Sequence, residues 1–402
     1  MPDLIKISLV FLAILVLLRR KLGIGYVMTA AAALLAVLYR LEIPGIIGAV
    51  KRTVFSELTI KLFFSLSLIR SFELILREKE LMSAMMSAIK GFFSSRKAVI
   101  VSMPMLIGML PSLGGAYFSA PMVKESTAGL KMEPEEKAFI NYWFRHPWEF
   151  ILPLYPGILL ASAVSGIPLY NLIAANLACA IALLITGLIF SMRNIKRKSG
   201  PPPPHRRSSA VARRELMSFV PVAAVLGLVM IARVELHYAL LMIIIPLLMV
   251  YRYRPGEILR VAKYGFEPDV AVMIFGIVLF KEIMDSSGAV AGLSRFFVDN
   301  GVSVVPVICI LPFAAGLLTG HTVGFVGSTF PLLIKIAGGS SLSYTGLAFA
   351  AGFTGVLLSP VHLCLVLTRE YFKADMWGMY RKIIPAGIIV FITAVAEYFA
   401  LR

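Results

Sequence analysis

The chain has 402 residues, of which 59% are apolar and only 15% charged, and its mean hydropathy is +0.86. A water-soluble fold is excluded, because soluble domains are near a quarter charged and lack repeated, almost uncharged segments of about 18 residues or more. The net charge of +17 does not call for a nucleic-acid partner, since the 39 Lys and Arg residues crowd into loops beside apolar segments, as in polytopic membrane proteins.

In chain order, segments able to cross about 30 Å of hydrocarbon are predicted near 4–19, 24–41 and 55–76. The first precedes Arg19, Arg20 and Lys21 without a small-residue cleavage site, so it reads as a retained helix. Across 79–94, Leu81, Met82, Met85, Met86, Ile89, Phe92 and Phe93 recur at helical spacing opposite polar residues, the pattern of an interfacial helix. The apolar segment 98–123 is broken at Leu110-Pro111-Ser112-Leu113-Gly114-Gly115, which suits a re-entrant hairpin better than a straight span. Spans near 139–165 and 169–191 follow, the first interrupted by Pro147, Pro153 and Pro156. Residues 192–215 are basic and carry Pro201 to Pro204, a flexible linker expected in the cytoplasm.

The second half repeats this order, with spans near 216–233, 236–251 and 268–284, an amphipathic stretch 286–299, a broken segment 304–335, and spans near 343–367 and 379–400. Pro104-x-x-x-Gly108-x-Leu110 matches Pro312-x-x-x-Gly316-x-Leu318, Pro121 to Lys124 matches Pro331 to Lys335 after an insertion, and Leu154-Tyr155-Pro156 matches Leu358-Ser359-Pro360. The chain therefore divides into a first repeat 1–191, the linker, and a second repeat 216–402. Five crossings plus a returning hairpin is an odd count, so the halves would be inverted, and a cytoplasmic linker then places most of the basic residues inside. If both broken segments crossed fully, the repeats would be parallel and Lys124 to Lys137 would face the other side.

On the Pro104 to Lys124 and Pro312 to Lys335 hairpins and the paired interrupted helices, nearly the whole chain resembles the ion transporter superfamily. More narrowly it resembles an uncharacterised prokaryotic integral-membrane family placed there, domain of unknown function family 401. The resemblance implies an all-α membrane protein with two inverted repeats of five transmembrane helices and one re-entrant hairpin each. It also implies an elevator-type secondary transporter in the cell membrane, expected as a homodimer. Superfamily members carry carboxylates such as citrate, gluconate, dicarboxylates and lactate, while others exchange sodium for protons or export arsenite. The implied cargo is a small organic anion coupled to H+ or Na+, with cation/proton antiport the alternative and a passive channel a weaker one. The Ser-Asn-Thr sodium signature of dicarboxylate members is missing from both tips, so sodium coupling by that arrangement is not implied.

Half-helices that begin after each tip offer free N–H groups suited to an anion. Candidate substrate contacts are Ser112, Gly114 and Gly115 at the first tip, and Thr319, Gly320, His321, Thr322, Gly324 and Ser328 at the second. Close packing of small residues is the plainer reading of the same residues. Glu149, inside the Pro147 to Pro156 interruption, is a coupling-ion candidate unless it pairs with Arg145 or sits at the interface. His321 and His362, the latter two residues past Pro360, are also coupling-ion candidates. Arg70 with Glu73 and Lys281 with Glu282 read as pairs near an interface. Cys179, Cys309 and Cys364 lie in apolar stretches without metal-type spacing, so neither a disulfide, a metal nor a cofactor is expected. No HExxH, GxSxG or Gly-x-Gly-Asp sequence is present, so an enzyme is not expected either.

Overall fold

The structure is a computed structural model that describes residues 3–20, 22–92, 95–109, 115–192, 213, 215–288 and 303–402. Among them every regular element is a helix. The first half holds α1 (Asp3–Arg19), α2 (Ile24–Leu38), α3 (Ile43–Phe55), α4 (Glu57–Glu78), α5 (Leu81–Phe92), α6 (Arg96–Gly108) and α7 (Gly115–Ser126). It continues with α8 (Pro134–Trp143), α9 (Trp148–Ile151), α10 (Pro156–Ser165), α11 (Leu169–Ala175) and α12 (Leu177–Met192). The second half holds α13 (Val220–Met230), α14 (Leu236–Val250), α15 (Pro255–Gly265), α16 (Pro268–Ser287), α17 (Val305–Thr319) and α18 (Thr322–Ile336). It closes with α19 (Leu342–Leu358), α20 (Leu363–Phe372) and α21 (Met376–Ala400). The linker residues 193–212 and 214, the first tip 110–114, and 289–302, most of the second amphipathic stretch, lie outside the described residues.

Several helices start at prolines, which need no N–H partner there: Pro134, Pro156, Pro255 and Pro268 each open one. Ser56 caps α4 by accepting from the Thr59 N–H, and Asp375 caps α21 by accepting from Gly378. Two helices were not anticipated, α3 and α15. Each is short and lies in a stretch expected to be a loop, and α15 places Glu257, Arg260 and Lys263 among Ile258, Leu259 and Val261 on one amphipathic turn sequence.

The stretches Pro134–Ser165, Leu342–Phe372 and Met376–Ala400 are long and apolar enough to cross a membrane, and α11 with α12, bent by 41°, would make a fourth. The segments α2, Glu215–Met230, α14, α17 and α18 are shorter apolar helices. Helix α4 has 22 residues, but Glu57, Lys61, Arg70, Glu73, Arg77 and Glu78 lower its hydropathy. This is a helical protein suited to a bilayer.

The two broken segments fold back on themselves. Arg96, at the start of α6, donates to the carbonyls of Ser126, the last residue of α7, and Ala128 just beyond it. In the second pair, Ile308 near the start of α17 lines one small cavity with Leu333, Ile334 and Ala337 at the end of α18. With 13 and 12 residues, α6 and α7 are about 20 and 18 Å long, too short to cross hydrocarbon singly.

Packing pairs elements across the halves in a reciprocal way. Helix α2 packs on α16 and α4 on α14; α3 packs on α16 and α15 on α4; α10 packs on α18 and α20 on α7. Glycines set the closest of these contacts. A Cβ on Gly276 would lie 2.1 Å from the Gly25 carbonyl oxygen, so α2 and α16 meet backbone to backbone. Between α17 and α19, a Cβ on Gly316 would lie 2.1 Å from the Gly352 oxygen, and one on Gly355 2.1 Å from the Phe313 oxygen. The sequence-matched Gly108 does the same at the end of α6, where a Cβ would come within 2.4 Å of the Arg145 oxygen.

Loops meet across long sequence separations. Lys79 lies over the rings of Tyr251 and Tyr253, Arg260 pairs with Glu78, Glu135 accepts from the Asp375 N–H, and Lys382 pairs with Glu136. At the other end of α4, Lys61 pairs with Glu235, Arg233 covers Tyr170, and Ser340 donates to the Ser165 carbonyl.

Candidate functional site

Two long helical stretches are interrupted where proline removes a donor and crowds the preceding turn. In the first, α8 ends at Trp143, Pro147 caps the four-residue α9, and Leu152 to Tyr155 run non-helically until Pro156 opens α10. In the second, Ser359 to His362 separate α19 from α20. The proline breaks expected at Pro147, Pro153, Pro156 and Pro360 are therefore all present.

Broken helices strand carbonyls at their ends, and those of buried helices need donors. Side chains of the interruptions and their neighbours supply them. Trp148 Nε1 donates to the Met105 oxygen at 2.7 Å and Tyr155 to Gly108, both in the last turn of α6. Ser359 donates to Leu317 at 2.7 Å in the last turn of α17. Tyr142 and Tyr380 donate to the last carbonyls of α19, Leu357 and Leu358, each at 2.9 Å.

The turn between α17 and α18 touches both interruptions. Gly320 has φ +67°, and a Cβ there would lie 2.9 Å from the His362 nitrogen, so both conformation and space demand glycine. Two residues on, Thr322 is buried against Gly157 of α10, where a Cβ would lie 2.5 Å from the threonine Cβ. The Thr322 side chain stands close to Glu149. His321 caps α18: its Nδ1 accepts from the Gly324 N–H at 3.0 Å, which leaves the ring proton on Nε2. Gly324 has to be small because a Cβ would strike that ring at 2.7 Å.

Behind this turn lies a buried polar cluster. Arg145 is 4% exposed, and its Nε and Nη1 make no hydrogen bond. His146, 2% exposed, places Nδ1 2.6 Å from the Tyr142 oxygen and Nε2 3.2 Å from Nε2 of His362. Glu149 Oε1 lies 4.0 Å from His146 Nε2, and the Cys364 thiol interacts with His146 and Arg145.

Of the candidates read from sequence, Gly320, His321, Thr322 and Gly324 meet Glu149 and His362 here. Ser112 and Gly114 lie outside the described residues; Gly115 is buried at the start of α7, where its oxygen accepts from Ser119. The Thr319 hydroxyl donates to Ala315 at 2.8 Å and lies 3.3 Å from the His321 carbonyl oxygen in the turn. One expectation needs correction. Ser328 donates to Gly324 at 2.7 Å and faces a small apolar cavity with Ile7, Val10, Phe280 and Met284, because six residues into α18 the helix has turned it away from the tip. Glu149 makes no ion pair with Arg145 among the described residues; its Oε1 stands 4.0 Å from His146 Nε2. Arg70 pairs with Glu267 and Arg77 with Glu73, while Lys281 does reach Glu282, whose other partner is Arg52. Sequence reasoning missed Arg145, His146 and Cys364 as site residues. Its one available signal was the Arg145-His146 doublet set directly before Pro147 in an apolar stretch.

No match is found among curated proteins. Over residues 4–401 the chain matches a family described as "Protein of unknown function (DUF401)". A helical chain with apolar, interrupted helices and matched almost end to end in this way belongs to that family, DUF401.

Proposed function

We propose that the protein is a secondary active transporter that moves a small organic anion across the cell membrane. The observation that carries this reading is Arg145. A buried guanidinium with two unused donor nitrogens is costly unless something completes it, and a planar carboxylate is the natural complement. It stands where the α17–α18 turn meets both interruptions, and irregular backbone at such depth is tolerated where it lines a cavity or is buried in protein.

The wider architecture proposed is that of the ion transporter superfamily: two inverted repeats, a hairpin-bearing unit sliding as an elevator against a scaffold, and assembly as a homodimer. The reciprocal packing of α2 on α16 with α4 on α14, and of α10 on α18 with α20 on α7, supports the repeat. The loop contacts support its inversion, because each joins segments that an inverted topology with the 192–215 linker in the cytoplasm assigns to one side. A cavity of about 470 Å³ between α4, the α13–α14 loop and the α10–α11 corner supports a boundary between two bodies. Coupling to H+ or Na+ belongs to the same reading.

Cation/proton antiport is the second reading, favoured by the Glu149, His146 and His362 constellation, which has the groups a proton relay uses. Counterflow in proteoliposomes separates the two. Vesicles loaded with an unlabelled carboxylate should draw in the labelled one. If a panel of mono-, di- and tricarboxylates gives none, while a cation gradient drives proton movement, the antiport reading replaces this one.

A further inference from the structure

We propose that His146, His362 and Cys364 form a binding site for a divalent transition-metal ion of the zinc type, held between the two interruptions. The ligand atoms of the three residues all lie within 4.8 Å of one another, and the two imidazole Nε2 atoms are 3.2 Å apart. Ligands on a tetrahedral zinc ion at about 2.0 to 2.3 Å are about 3.3 to 3.7 Å from each other, so the imidazoles already stand at ligand spacing and the thiol has about 1 Å to close.

The hydrogen bonds around the rings point the same way. His146 Nδ1 lies 2.6 Å from the Tyr142 oxygen, so it carries the proton and Nε2 presents a lone pair to His362. A backbone carbonyl that fixes the tautomer in this manner is the usual support of a metal-binding histidine. His362 Nδ1 is buried and makes no hydrogen bond. If His362 Nε2 carries the proton, its Nδ1 lone pair is stranded; if Nδ1 carries it, two lone pairs face each other at 3.2 Å. A cation bound to both Nε2 atoms removes that repulsion.

The donor set selects the ion. Two imidazoles and a thiolate suit a borderline or soft cation and offer nothing that magnesium or calcium prefers. On binding the metal the thiol gives up its proton, and the resulting thiolate offsets the repulsion between the metal and the nearby Arg145 guanidinium. Three protein ligands leave a fourth position open to water, to Glu149 or to an anion.

Binding is read on the full-length protein purified in detergent, without any transport assay, so its failure and that of the carrier reading are separable. Titration with Co2+ should give a thiolate-to-cobalt charge-transfer band in the near ultraviolet, saturating at one ion per chain and abolished by added Zn2+. Cys364→Ser should remove the band, and His146→Gln or His362→Gln should weaken Zn2+ binding by at least about tenfold. Cys179→Ser and Cys309→Ser should change neither. A second measurement needs no change at the site: with Cys179 and Cys309 replaced, Zn2+ should protect the remaining thiol from maleimide. No band in folded wild-type protein, a band that survives Cys364→Ser, or no protection by Zn2+ would overturn the proposal.

Discussion

The two interruptions meet the same backbone difficulty with the same means and then part in chemistry. At residues 144–155, Trp148 and Tyr155 complete the end of α6; at 359–362, Ser359 completes the end of α17 while Tyr142 and Tyr380 complete α19. Ser359, Tyr142 and Tyr380 replace donors that a continuous helix would have supplied, whereas the indole of Trp148 adds a second donor to Met105, which also accepts from the Met109 N–H. Yet the first carries Arg145, His146 and Glu149, and the second carries no charged residue and one histidine, His362. The likeness of the two interruptions thus lies in the backbone and its hydrogen bonds, while ionic chemistry has settled on one side. A site built in this way can recognise a ligand that has no symmetry of its own.

The largest expected effect breaks that asymmetry at its source. Arg145→Met removes the charge at similar length. Carboxylate binding should fall by about 2 to 5 kcal/mol, enough to abolish counterflow at ordinary substrate levels. Thermal stability in detergent should hold or rise, by up to about 1 to 4 kcal/mol, because an unpaired buried charge has been replaced by packing. A strong loss of stability with residual binding would make Arg145 a structural residue.

Next come two glycines that bring the α17–α18 turn against each interruption. Gly320→Ala places a Cβ against His362 backbone and forces a left-handed residue, so unfolding measurements should show about 2 to 3 kcal/mol lost. Gly157→Ala puts a Cβ 2.5 Å from the Thr322 Cβ, which side-chain rotation cannot move, so α10 and α18 must part and the loss should be similar, about 2 to 3 kcal/mol. A loss confined to one variant would mean that the turn is anchored on that interruption alone.

The smallest effect sharpens the shared part of the comparison. Tyr155→Phe and Tyr380→Phe each leave one helix-end carbonyl without its donor and should each cost about 1 kcal/mol. Equal losses measured by thermal unfolding support equivalent capping; a loss confined to one variant means that water already serves the other carbonyl.

What could be read from the residues alone divides along physical lines. The breaks at Pro147, Pro156 and Pro360 were legible because proline's missing N–H acts locally, and the α17–α18 turn because Gly320 and the residues around it interrupt an apolar run. Helices α3 and α15 were not legible, since 13 and 11 residues of mixed polarity between stronger signals resemble a loop. Cys364 looked like core filler because its partners Arg145 and His146 are more than two hundred positions away, and only the packing of α20 near α8 unites them. Ser328 failed for a geometric reason: six residues of helix is not a whole number of turns, so a residue of the right type pointed the wrong way.

The reciprocal packing across the halves has a bearing on how the chain is made. A ribosome delivers α2 well before α16 and α10 well before α18, so the glycine face at Gly25 and the notch at Gly157 enter the membrane with nothing to close them. The first half of the polypeptide is then a set of inserted helices waiting for mates, and the boundary at 192–215 divides the sequence without dividing the folding unit. Cut in that linker, the two pieces should accumulate stably only when produced together; a first piece that resisted proteolysis alone would show that its helices find another arrangement.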